Sequence, residues 1–184
     1  MPRLFALAVS VLLLLTACML APRKPAIALP PLKLAPATLG QTLALQQRLQ
    51  FHFGNQARTL DALLEVDPQE VRLVVQALGQ AGVRLRWDGK TLQQQRAAWL
   101  PAAVRGERVL DDLQFALWPA TAIRAVLPTH WSLQEEGNTR ALLHDGQAWL
   151  LLTRVDASHL QLDNRAEGYR LEIASAPADA ETAP

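Results

Sequence analysis

The segment Leu43 to Phe53, "LALQQRLQFHF", alternates: Leu43, Leu45, Leu49, Phe51 and Phe53 are apolar, interrupted once by Gln47, while Gln46, Arg48, Gln50 and His52 are polar. Period two sends successive side chains to opposite faces, so the stretch reads as a strand with one wet face. The alternation returns after Gly54-Asn55 in "RTLDALLEV" and after Asp67-Pro68 in "VRLVVQAL", then in "VRLRW". "TRALLH", "QAWLLLTRV", "HLQLDN" and "YRLEIA" carry it through the second half. Asp88-Gly89 and Asp145-Gly146 are hairpin signals, because glycine accepts the positive φ that tight turns demand. Roughly eight or nine short strands joined by hairpin-length turns predict an antiparallel sheet, hence a mainly β (α+β) fold.

One strand breaks the simple pattern. In "QAWLLLTRV" Leu150 and Leu152 lie on one face, and Trp149, Leu151 and Val155 on the other. A strand apolar on both faces calls for cover on both. The chain offers a cover in "ERVLDDLQFALWPATAIRAVLP", where Leu110, Leu113 and Leu117 share a helical face flanked by Val109 and Phe115. Asp111 and Asp112 suit the positive end of that helix dipole. Trp118-Pro119 should break the helix, and a second short one carrying Ile123, Val126 and Leu127 should stop at Pro128. The pair can lie across one face of a curved sheet.

The single cysteine, Cys18, closes an apolar run from Leu4 to Leu15 that follows Arg3. A run of this length suits a signal peptide and falls short of the roughly 20 residues a spanning helix needs. Leu15-Thr16-Ala17-Cys18 resembles the lipobox of bacterial lipoproteins. That resemblance implies cleavage before Cys18, acylation of its thiol and amine, and firm membrane anchoring. A buried core cysteine, or a plain signal with a cysteine nearby, are the alternatives. Met19 stands where Asp would mark inner-membrane retention in the enterobacterial sorting rule, which points to the outer membrane. The expected organisation is a signal peptide over 1–17, a lipidated Pro/Ala-rich tether over 18–40, a β domain over 41–175 and a frayed tail over 176–184.

Loss of Arg3 with the signal brings the 18 basic residues level with the 17 acidic ones, so no basic excess supports nucleic-acid binding. With Cys18 acylated, no thiol is left for disulfides or catalysis. His52, His130, His144 and His159 show no metal-ligand spacing, and Ser132 and Ser158 sit in no nucleophile-like context. Adjacent carboxylates such as Asp111 and Asp112 diverge by about a hundred degrees on a helix, against a paired acid/base role. Glu135-Glu136-Gly137-Asn138 reads as a polar turn. The expectation is a protein that is no enzyme and holds no cofactor or metal.

A lipobox, a Pro-rich tether, an antiparallel meander and a "WDG" hairpin followed by "LP" and a helical pair together resemble the LolA/LolB superfamily. LolB is an outer-membrane lipoprotein receptor and LolA its periplasmic partner. The closest resemblance is to an uncharacterised lipoprotein family associated with aryl-polyene-type gene clusters. It spans about Gln41 to Ser175 and implies an open antiparallel half-barrel with a short helical lid over an apolar cavity. Trp99 and Trp118 flank the expected lid, so the candidate lining is Trp99, Leu113, Leu117, Trp118, Trp149 and Leu151. The receptor's exposed apolar loop residue finds no counterpart at the tip of "EVDPQEV". Two functions are consistent with this. One is a periplasm-facing, outer-membrane-anchored protein that holds or receives a lipid-like or acylated cargo, with a periplasmic carrier or envelope protein as partner. The other is an envelope scaffold of the same fold with a filled interior.

Overall fold

The computed structural model describes residues 27–100 and 104–178. The signal peptide, Cys18, Met19 and the end of the tail lie outside the described residues. Within them ten strands form one antiparallel sheet: β1 (Leu43–Phe53), β2 (Gln56–Val66), β3 (Val71–Ala77), β4 (Gln80–Trp87), β5 (Leu92–Arg96), β6 (Trp131–Glu136), β7 (Thr139–His144), β8 (Gln147–Arg154), β9 (His159–Asn164) and β10 (Tyr169–Pro177). Their spatial order is β5-β4-β3-β2-β1-β10-β9-β8-β7-β6. Two five-stranded meanders thus meet where β1 pairs with β10, Phe53 opposite Tyr169 and Leu49 opposite Ile173. The two free edges are consecutive in sequence. Helix α1 (Gly106–Leu117) and helix α2 (Ala120–Val126) bridge them.

The turns are set by residue chemistry. Asp145 and Gly146 both have positive φ (48° and 81°), the conformation of a two-residue hairpin turn. Asp67 and Asp88 each accept two backbone N–H groups of their own turn, from Gln69 and Glu70 and from Lys90 and Thr91. Both prolines act as the sequence requires. α1 ends at Leu117 before Pro119, and α2 ends two residues before Pro128.

The sheet is curved. Val83 of β4 and Leu160 of β9 line one cavity although five strand spacings separate them, roughly 24 Å on a flat sheet. An open, curled sheet with α1 across its concave side is consistent with a half-barrel. Because hairpin tips alternate between ends of a meander, the β1–β2, β3–β4, β7–β8 and β9–β10 turns share one end of the cup, its upper end.

Three expectations are corrected. Two strands beyond those read from the alternation, β5 and β6, form the edges, and Glu135 and Glu136 belong to β6, leaving Gly137-Asn138 as the turn. The outer set of β8 stays uncovered, with Trp149 and Leu151 half-buried and Val155 63% exposed. A register shift beside Trp149 loosens β7–β8 pairing there. The third concerns the tether. Leu32, Leu34 and Leu39 are core residues, and Pro36–Leu39 form a 3-10 turn, so the described part of 18–40 is a strap folded into the lower end. Its backbone is held by side chains some eighty residues away. Leu32 N–H donates to Asp111 Oδ1 (2.8 Å), while Leu34 N–H donates to Gln114 Oε1 (2.9 Å) and Gln114 Nε2 returns a bond to Leu34 O.

A cavity between the sheet and the helical lid

The lower end of the cup is solid. Phe115, Trp118, Ile123 and Leu64 are fully buried there, and the indole N–H groups of Trp87 and Trp118 bond to the strap at Leu34 O (2.8 Å) and Thr38 Oγ1 (3.0 Å). Arg140 of β7 pins the end of α1 by donating to Phe115 O (2.7 Å) and Trp118 O (2.8 Å), and it pairs with Glu135.

Further up, the packing opens into a cavity of about 120 Å³. One water needs roughly 10–15 Å³ of such space, so the cavity suits a larger guest. From the sheet, Leu49, Val83, Leu162 and Leu171 face it; from α1, Val109, Leu113 and Leu117 do. An interior normally packs as densely as an organic crystal, so an apolar void of this size forfeits dispersion contacts around its lining.

One patch of the wall is charged. Arg108 and Asp112, one turn apart on α1, both line the cavity and both are buried. Arg108 Nε and Asp112 Oδ1 lie 2.9 Å apart, but the N–H is not directed at the oxygen and neither atom has a hydrogen-bond partner. Tyr169 donates its hydroxyl to Asp112 Oδ2 and accepts from Asn164 Nδ2 at 3.0 Å. Burial pushes the Asp112 carboxyl up to about 6, with Arg108 and the Tyr169 hydrogen bond pulling against it. Burial raises the Asp111 carboxyl too, although Arg108 and the Leu32 N–H oppose it. The dipole role expected of these two aspartates is overturned: α1 starts at Gly106, which places them in its middle turns. Their divergence is as expected, Asp111 facing the strap and Asp112 the cavity.

Of the six candidate lining residues, Leu113 and Leu117 face the cavity. Trp118 is buried in the solid end against the strap, and Trp99 is 39% exposed, its ring beside Gly82. Trp149 and Leu151 lie on the side of the sheet away from the lid. These four therefore do not line it. The residues that sequence reasoning missed include Arg108, Tyr169, Leu49 and Val83, and the inward set of β9 and β10. Alternation in "HLQLDN" and "YRLEIA" carries a signal for that set, but nothing local says which way the face points.

Elsewhere, Ser158 Oγ (3.1 Å) and Asp156 (2.8 Å) both meet His159 Nδ1, the same ring nitrogen, so the imidazole cannot pass a proton between them. Asp156 also accepts the N–H groups of Ser158 and His159, a turn-forming arrangement that holds its carboxyl well below the usual range. His130 and His144 both approach Asp145, but no group of three or more ligands among the described residues has the geometry to hold a metal.

A family model described as "Protein of unknown function (DUF3261)" matches residues 44–177. The chain belongs to the DUF3261 family. No curated protein matches this DUF3261 chain. The matched residues hold β1 to β10 and both helices, and leave the strap outside.

Proposed function

We propose that this DUF3261 protein is a lipid-anchored envelope protein that holds or receives a lipid-like, acylated cargo in the cavity beneath α1. The observation that carries the reading is the unfilled apolar space between a curved sheet and a helix, in a cup whose other end is packed solid. Each methylene of a chain entering it would gain about 0.8 kcal/mol. The resemblance to the LolA/LolB superfamily supports the same reading, since it implies an open half-barrel beneath a helical lid. Acylated Cys18 is the proposed membrane anchor, and the outer membrane, facing the periplasm, the proposed address. The upper end adds support. Leu78 at the β3–β4 tip is 103% exposed, and Phe53 (43%) and Trp99 (39%) stand at the same end. An apolar rim of this kind suits contact with a lipid surface or a cargo-bearing carrier. The turn over Glu65 to Val71, at the opposite end, offers no such residue.

The test fills the void. Leu113→Trp should occupy the cavity, abolish uptake of a fluorescent fatty-acid analogue and leave the melting temperature unchanged or raised. Native mass spectrometry of the unsubstituted chain should show co-purifying lipid. An unsubstituted chain that purifies empty and ignores the probe would favour the scaffold reading instead.

A further inference from the structure

The inward positions of β2 change character along the strand. Leu64 is fully buried, Ala62 is 5% exposed, Leu60 is half-buried at the cavity wall, and Arg58, the next one up, is exposed. Two registers fix its side of the sheet. Arg58 is two residues from Leu60 on one strand, which puts both on one face. It also stands directly opposite Phe51 of β1, another wall residue, and opposed residues share a face with Cβ atoms about 5 Å apart. Arg84 and Arg170 sit instead between inward neighbours and face away. Of the other inward arginines, Arg96 and Arg140 are engaged with backbone carbonyls at the two ends of the lid, and Arg154 ends β8 at the lower end.

The charges of the cavity wall cancel in pairs. Arg105 holds Glu167 at 2.7 Å, and Arg108 holds Asp112 at 2.9 Å. Asp111 faces the strap, and Asp61 pairs with Arg48 on the other face of the sheet. Arg58 belongs to none of these pairs, nor to any other ion pair among the described residues. At the same end α1 starts without a side-chain cap, which leaves the positive pole of its dipole there. Glu107 in that first turn is held by Gln94 and does not line the cavity. An exposed, unmatched guanidinium thus stands directly above an apolar hollow.

We propose that Arg58 is the head-group contact of the cavity, taking the anionic head of a single-chain amphiphile whose alkyl part lies between the sheet and α1. This deepens the cargo reading and rests on it. The planar fork of N–H donors meets two oxygens of a carboxylate at once. The head stays at the wet rim and keeps much of its hydration, so only hydrocarbon is desolvated. A neutral head gains nothing from the charge, and a cationic one is repelled. The wall from Gln47 to Phe51 spans four strand rises, about 13 Å, which matches an extended chain of roughly ten carbons.

The experiment varies the head at constant chain length. The full chain carrying Cys18→Ala is titrated calorimetrically at low salt and pH 8 with decanoate, 1-decanol and decyltrimethylammonium. An exposed ion pair is a modest contact, so Arg58→Gln should weaken decanoate by about three- to fivefold and leave decanol unchanged. Arg58→Glu should weaken decanoate further and favour the ammonium probe. High salt should shrink the decanoate effect, as screening requires. Arg58 is exposed, so both variants should keep the melting temperature of the parent chain. A decanoate-to-decanol ratio that ignores both substitutions overturns the head-group contact but leaves the cavity as a hydrocarbon site. Tightest binding of the ammonium probe by the Arg58-containing chain also overturns it. Binding by none of the three probes, or binding that persists undiminished in Leu113→Trp, overturns the cargo reading itself.

Discussion

Asp111 and Asp112 are adjacent and both buried, yet they serve opposite ends of the molecule. Asp111 turns toward the strap, where its carboxylate receives the Leu32 N–H. There Gln114 closes on both backbone groups of Leu34, and two indole N–H groups find oxygens on the strap. Asp112 turns toward the hollow, where one oxygen is tied to Tyr169 and the other pairs with Arg108 at 2.9 Å without a well-directed hydrogen bond. One helix thus has a side whose polar groups are matched by hydrogen bonds and a side held by a buried, imperfectly directed ion pair. Buried polar groups are ordinarily satisfied, so the side facing the strap is the better matched of the two.

The matched side should carry the stability. Trp118→Ala removes a fully buried ring and its hydrogen bonds to the strap, and should cost about 3–5 kcal/mol in urea unfolding. A loss under about 1 kcal/mol would mean that the solid end and its strap contribute little, and would erase the contrast between the two sides of α1.

The hollow side should show itself through pH. The Asp112 carboxyl sits at about 6 in the fold against an ordinary 3.8, so the folded state holds that proton more tightly than the unfolded chain does. The resulting stability is fully present below about pH 4 and is lost as pH rises through about 6, roughly 3 kcal/mol in all. Asp112→Asn cannot titrate. The stability of the unsubstituted protein relative to this variant should therefore fall by about that amount between pH 4 and pH 7. Asp111, also raised by burial, is present in both proteins and largely cancels. A flat difference across the window would show that the carboxyl is not desolvated as its surroundings imply.

How much of this could be read from sequence follows the same division. Interior strands such as "LALQQRLQFHF" announced themselves because a buried face enforces period two. The strands that escaped, "LQQQR" and "WSLQEE", are the two sheet edges. An edge strand has one neighbour, so β5 buries no residue fully and β6 buries only Leu133, and the alternation fades. The strap read as a tether because proline content is local. What folds it in are bonds from Asp111 and Gln114, about eighty positions on, which no local pattern predicts. The cavity was legible in kind but not in place. Leu113 and Leu117 face it, whereas Trp118 packs solid and Trp149 points outward, because an apolar residue reads alike whether it fills a core or lines a void. Arg108 was invisible as a wall residue, since charge on a helix ordinarily signals solvent.

The smallest effect sharpens the contrast at the upper rim. Leu78 is fully exposed and has φ of 51°, so neither burial nor backbone preference accounts for a leucine at that tip. The left-handed conformation costs a residue with a Cβ roughly 1 kcal/mol, and asparagine tolerates it better. Leu78→Asn should therefore raise stability by up to about 1 kcal/mol while slowing the uptake of an alkyl probe from vesicles. Greater stability with unchanged uptake would make Leu78 an idle strain in a turn. A slower, more stable protein would mean that the rim gives up folding free energy for contact with the guest.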